Sequence, residues 1–206
     1  MEVNYKDYQP KTTNPSCEGS EWSIHRAYKV TDTSLKRVLL IGDSICNAYQ
    51  QEVSEILDGI ANVSFWASSK CVTTTGYFRD LDCILSARPV SLISFNNGLH
   101  SFTTDYSEWC EAYDSAVKFI LARMPEAALV LTLCTAMNNT EKNERVKEFN
   151  EHIRALAAEL SLPVIDLFTP TEALDKDKEM GDEYHFLRPA VAAQGKIVSD
   201  FIMSKL

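Results

Sequence analysis

The stretch Val38-Leu39-Leu40-Ile41-Gly42-Asp43-Ser44-Ile45-Cys46 constrains this chain more than any other. Its branched apolar residues predict a buried strand, Gly42 and Asp43 a sharp turn, and the periodicity of residues 45–57 a helix that follows at once. Ser44 is thereby set at the end of a rigid strand and the start of a helix. Unpaired backbone N–H groups point out of a helix start, so an oxyanion formed beside the hydroxyl meets waiting donors. The same place suits a plain helix N-cap, which is what most serines after a Gly-Asp turn are. Taken alone, the stretch favours the cap.

Beyond it, short apolar runs alternate with helical patterns to the end of the chain. Further strands are expected over residues 61–67, 90–95, 128–134 and 163–168, and helices over 77–88, 105–121, 146–160 and 189–205. Asp105 with Glu108 resembles a capping box, and Pro189 is a favoured first-turn residue. The strands are continuous apolar runs and do not alternate, so both faces of the sheet are covered. The expected fold is a three-layer α/β/α sandwich with a five-stranded parallel sheet. Residues 1–36 are polar and irregular, with aromatic interruptions at Trp22 and Tyr28, and read as a segment lying on the surface of a single domain formed by residues 37–206.

Composition narrows the partners. Asp and Glu outnumber Lys and Arg, 29 to 20, with no basic cluster, so nucleic acid is not an expected partner. No stretch is long and apolar enough to span a bilayer, and no apolar leader opens the chain, which gives a cytoplasmic expectation. The six cysteines show no Cys-x-x-Cys spacing and read as small buried hydrophobes, not as a zinc site or a disulfide framework.

In a parallel sheet covered on both faces, ligands bind beyond the carboxyl ends of the strands, where the strand order reverses. That rule gathers the loop at Ser44, the loop of residues 68–75, the loop of residues 96–100 and the segment of residues 169–188 at one edge. His185 can take a proton from Ser44, and Asp182, three residues earlier, can bond the other ring nitrogen. A Ser44-His185-Asp182 triad results. Its oxyanion donors would be the Ser44 N–H, a backbone N–H of the second loop and the Asn96 amide.

Gly42-Asp43-Ser44 after the first strand, Asn96 after the third and Asp182-x-x-His185 before the last helix together resemble the SGNH, or GDSL, hydrolase superfamily. The resemblance runs from about Arg37 to the end and implies the flavodoxin-like sandwich already expected from periodicity. It makes Ser44 the nucleophile, His185 the base, Asp182 its orienting acid, and Ser44, Cys71 and Asn96 the oxyanion donors. Cys71 stands where the family has a glycine. Phe95 and Asn97 also depart from its Gly-x-Asn-Asp pattern. The run Phe95-Asn96-Asn97-Gly98-Leu99-His100 is similar to a bacterial subset of carbohydrate O-acetylesterases, which places Asp43, Phe95, Asn97 and His100 about the substrate pocket. The expected activity is hydrolysis of small acyl esters, acetyl above all, on a carbohydrate or other small hydroxylated molecule, with no cofactor and no metal. Two alternatives stay open: a thioesterase or lysophospholipase with a longer acyl pocket, and a non-catalytic glycan-binding protein on the same fold.

Overall fold

The computed structural model describes residues 3–16 and 18–206. Its centre is β2 (Arg37–Gly42), buried along its whole length. Parallel neighbours flank it: β3 (Asn62–Ser68) on one side and β4 (Leu92–Phe95) on the other, continued outward by β5 (Ala128–Thr132) and β6 (Val164–Ile165). β3 and β4 are buried at every position, as expected for strands covered on both faces.

The chain leaves β2 through α1 (Ser44–Ile56) to reach β3, then returns through α2 (Tyr77–Ser86) past β2 to β4. From there α3 (Tyr106–Arg123) and α4 (Thr140–Glu159) carry it onward in one direction. Right-handed crossovers therefore put α1 on one face and α2, α3 and α4 on the other. The contacts agree: α1 packs on the final helix α7 (Arg188–Met203), while α3 touches both α2 and α4. The order reverses between β2 and β4, so the switch point lies at the carboxyl ends of those two strands.

Among the described residues the sheet has six strands, not five, and its sixth comes from the segment expected to lie on the surface. β1 (Ser23–Ala27) pairs antiparallel with β3, from Ser23 opposite Ser68 to Ala27 opposite Ser64. Its residues are almost all exposed, and it carries His25 and Arg26, side chains typical of a sheet edge. An edge strand needs backbone pairing from one neighbour and no apolar face, so hydropathy gives no sign of it.

Other boundaries shift for local reasons. β5 stops at Thr132 because Asn150 takes over the backbone of Cys134, accepting from its N–H at 2.8 Å and donating to its carbonyl at 3.0 Å. β6 is only two residues long because Asp166 turns the chain, accepting from the Thr169 N–H at 2.9 Å. Two short helices, α5 (Phe168–Glu172) and α6 (Lys176–Glu179), then form between β6 and α7. Asp105 caps α3 as expected, accepting from the N–H groups of Ser107 and Glu108. Of the cysteines, Cys46, Cys71 and Cys134 are buried, whereas Cys83 is exposed; Cys17 lies outside the described residues.

Candidate active site

The turn after β2 assigns the cap to Asp43. Its carboxylate accepts from the Ile45 N–H at 2.9 Å, making it the N-cap of α1. Ser44 is consequently the first helical residue, and its hydroxyl is released from capping. The turn also needs Gly42, since a Cβ there would lie 2.6 Å from the Cβ of Cys46, one helical turn on.

The freed hydroxyl meets His185. Nε2 of His185 lies 2.8 Å from Oγ of Ser44, and Nδ1 lies 2.8 Å from Oδ2 of Asp182. The other carboxylate oxygen of Asp182 accepts from the backbone N–H groups of Tyr184 and His185, both at 2.7 Å. Burial pushes the Asp182 carboxyl up, but the imidazole and the two N–H donors outweigh it and hold it below the usual carboxylate range. The loop that carries the pair is closed by an antiparallel bridge between Met180 and Phe186 and by the Gly181 N–H donating to the His185 carbonyl at 2.8 Å.

Asn96 follows β4 at the switch point and is almost fully buried. Its backbone N–H donates to the Ile41 carbonyl at 2.9 Å, tying the end of β4 to the end of β2. Its side-chain amide donates to the Thr132 carbonyl at 2.7 Å, with the Cys134 sulfur 3.5 Å away. A thiol sulfur is a weak acceptor.

The loop after β3 is bonded throughout. The Ser69 N–H donates to the Trp22 carbonyl at 3.1 Å, Lys70 N–H to Ser68 Oγ at 3.1 Å, Cys71 N–H to Thr74 Oγ1 at 3.1 Å and Val72 N–H to Asn97 Oδ1 at 3.1 Å. Cys71 is fully buried, its sulfur 3.1 Å from the Ser101 hydroxyl, so the side chain that replaces the expected glycine points into the protein.

The expected pocket residues occupy different places. Phe95 is fully buried against Tyr113, with ring centroids 5.2 Å apart, because it ends a strand covered on both faces. Asn97 is 3 % exposed and both ends of its amide are bonded to backbone. Asp43 is 2 % exposed, and the cavity it lines with Asn96, Leu99 and Cys134 holds only about 10 Å³. The His100 side chain is mostly buried; its Nδ1 pairs with Glu18 at 2.5 Å and its ring stands edge-on to Trp22.

Several residues at this edge carry no sequence signal. Asn14 is bonded on both sides of Thr74, donating to the Thr73 carbonyl at 2.9 Å and accepting from the Thr75 N–H at 2.7 Å. Trp22 bonds the same loop at Ser69, and Glu18 meets His100 of the third loop. Only the fold brings these distant positions together. Among the described residues, no group of three His, Cys, Asp or Glu side chains is placed to hold a metal ion, and no helix is long and apolar enough to cross a membrane.

No protein-family model matches the sequence, and no curated protein matches it. Solved structures do match the fold. An acetyl xylan esterase superposes with a TM-score of 0.65 at 17% identity, over 82% of this chain and 99% of that one. A GDSL-like lipase from Bacteroides thetaiotaomicron gives 0.65 at 15% identity, over 83% of this chain and 89% of that one. A member of the lipolytic G-D-S-L family from Veillonella parvula gives 0.65 at 20% identity, over 84% of this chain and all of that one. With Ser44, His185 and Asp182 bonded in series at the switch point of its sheet, the chain has the fold of the SGNH, or GDSL, hydrolases.

Proposed function

We propose that the protein is a serine esterase that hydrolyses small acyl esters, acetyl above all, carried on a carbohydrate or similar hydroxylated molecule. The observation that carries this reading is the unbroken chain Asp182 Oδ2, His185 Nδ1, His185 Nε2 and Ser44 Oγ, with both links at 2.8 Å. A serine hydroxyl attacks a carbonyl only when a base takes its proton and donors receive the charge that forms on oxygen. His185 is in reach of the proton. Asp182 fixes the ring so that Nδ1 carries hydrogen and Nε2 presents its lone pair.

In the first half-reaction, Ser44 Oγ bonds to the acyl carbon while its proton passes to His185 Nε2. The oxyanion is received by the Ser44 N–H at the start of α1, by the second hydrogen of the Asn96 amide, which leaves the weak Cys134 sulfur, and by the Cys71 N–H, which leaves Thr74. His185 then protonates the departing alcohol as the acyl C–O bond breaks. In the second half-reaction water attacks the acyl-enzyme, its proton goes to His185, and the serine is restored as the acid leaves. The sequence needs no cofactor. The acetyl preference draws on the fold shared with an acetyl xylan esterase and on the sequence run from Phe95 to His100.

A second reading, a non-catalytic glycan-binding protein, draws on one observation: the N–H groups of residues 69–72 are all bonded within the protein. A fluorophosphonate probe separates the two. The esterase forms a covalent adduct on Ser44 and hydrolyses p-nitrophenyl esters, fastest for acetyl in a series running to dodecanoyl. A folded protein that leaves Ser44 unmodified overturns the esterase reading, and a maximum at long acyl chains replaces it with a lipase or thioesterase.

A further inference from the structure

Asn97 makes a pair of hydrogen bonds that brackets one residue. Its Oδ1 accepts from the Val72 N–H at 3.1 Å and its Nδ2 donates to the Lys70 carbonyl at 2.9 Å. The residue between is Cys71. The side-chain amide thus pairs with the loop as a neighbouring strand would, taking one donor and one acceptor from the backbone on either side of Cys71. Asn97 is 3 % exposed, so water cannot substitute for either bond. It is also chain neighbour to Asn96, whose own N–H is held by Ile41 at the end of β2.

From this we infer that Asn97 is the positioning residue of the oxyanion site, locking the Cys71 N–H to the loop that carries the Asn96 amide. The inference rests on the esterase reading above and adds to it the residue that sets the spacing between two of its donors. At rest the Cys71 N–H is satisfied by Thr74 Oγ1 at 3.1 Å. When charge develops on the substrate oxygen, the N–H exchanges a neutral hydroxyl for an anion, a stronger acceptor. That exchange helps the reaction only if the loop backbone stays where it is, and the Asn97 bonds to either side keep it there. Further anchoring comes from outside this loop, through Asn14 at residues 73 and 75 and Trp22 at Ser69.

The clamp also gives the departure from the family pattern a physical consequence. An ionised aspartate at this position accepts from Val72 but has no hydrogen for the Lys70 carbonyl, and sets two acceptors against each other. An asparagine supplies both partners with no charge in a buried place.

The test uses Asn97→Asp and Asn97→Ser in the full chain, with Asn62→Ser as a control. Asn62 is a buried amide at the opposite end of the sheet, donating to the Asp32 carbonyl at 3.0 Å. With p-nitrophenyl acetate, both Asn97 variants are expected to lose kcat by about 10- to 100-fold, the effect of misplacing a transition-state donor. KM should stay within about twofold, because the lost interaction is absent from the ground state. Fluorophosphonate labelling of Ser44, which develops charge on the same oxygen site, should slow by a similar factor. Asn62→Ser should lower Tm without changing kcat. Asn97→Ser introduces no charge and carries the test if Asn97→Asp does not fold. Wild-type kcat and labelling rates in a folded Asn97 variant, or a loss of rate that Asn62→Ser reproduces at equal Tm, overturn the inference. Wild-type protein that neither turns over esters nor labels overturns the esterase reading itself.

Discussion

His185 Nε2 and Ser44 Oγ lie 2.8 Å apart although 141 positions separate them in the chain. The serine is delivered by β2, buried along its whole length, and the histidine by a loop closed between α6 and α7. Because α7 packs along α1, the turn that carries Ser44 and the loop that carries His185 are fixed to one another by helix packing. Gly195 marks the closeness of that packing: a Cβ there would lie 2.7 Å from the Cβ of Glu52.

Asp182→Asn retains an oxygen for the N–H groups of Tyr184 and His185 but offers the imidazole a donor instead of an acceptor. The ring then settles with hydrogen on the nitrogen facing Ser44, and kcat on p-nitrophenyl acetate should fall by about 10³- to 10⁴-fold with KM little changed. Steady-state kinetics beside a thermal melt checks this; a kcat within an order of magnitude of wild type would remove Asp182 from its orienting role.

Gly42→Ala places a methyl carbon 2.6 Å from the Cβ of Cys46, at the turn that aims Ser44. Overpacking of this kind costs about 1–3 kcal/mol. The variant should melt roughly 2 to 12 °C lower, and esterase activity should fall as the first turn of α1 shifts, measured below the new Tm.

Asp166 accepts from the Thr169 N–H at 2.9 Å, from the Thr169 hydroxyl at 2.8 Å and from Arg154 at 2.9 Å. Burial pushes its carboxyl up, but the Thr169 and Arg154 donors prevail and lower it. A folded carboxylate that sheds its proton more readily than the unfolded one adds stability above the ordinary carboxylate pKa of about 4 and loses it as pH falls through the lower folded value. The Tm gap between wild type and Asp166→Asn should therefore be widest near neutrality and close with acidification. A gap independent of pH would contradict the assignment.

Burial raises the thiols of Cys46 and Cys134 to about 12, whereas Cys83 is exposed. Iodoacetamide at mildly alkaline pH should modify Cys83 in the native protein and leave Cys46 and Cys134 untouched until the protein unfolds. Peptide mapping reads the sites, and esterase activity should survive the native treatment.

The hydrophobic runs alone predict the central strands and the long helices, because strands covered on both faces and helices with one apolar face leave their period in the sequence. They miss β1, whose exposed residues contribute backbone pairing and little apolar surface. They also overextend β6, which ends where Asp166 turns the chain by accepting from the Thr169 N–H. The residue types at Ser44, Asn96, Asp182 and His185 suggest their chemistry through order and spacing. Phe95, Asn97 and Asp43 are assigned to a substrate pocket by the resemblance of the run Phe95–His100, whereas their burial and hydrogen bonds are set by the fold.

The sequence by itself determined the sandwich, the edge at which its loops gather and the four side chains whose residue types suit the acyl transfer proposed above, since those depend on local periodicity and residue type. Tertiary structure decided what each neighbour does with its hydrogen bonds. It gave the helix cap to Asp43 and so left the Ser44 hydroxyl to His185, turned Asn97 into a brace around Cys71, and drew Asn14 and Trp22 onto the loop after β3. These outcomes rest on partners brought together by strand order and helix packing, and no local pattern records which of several possible partners a buried polar group will meet.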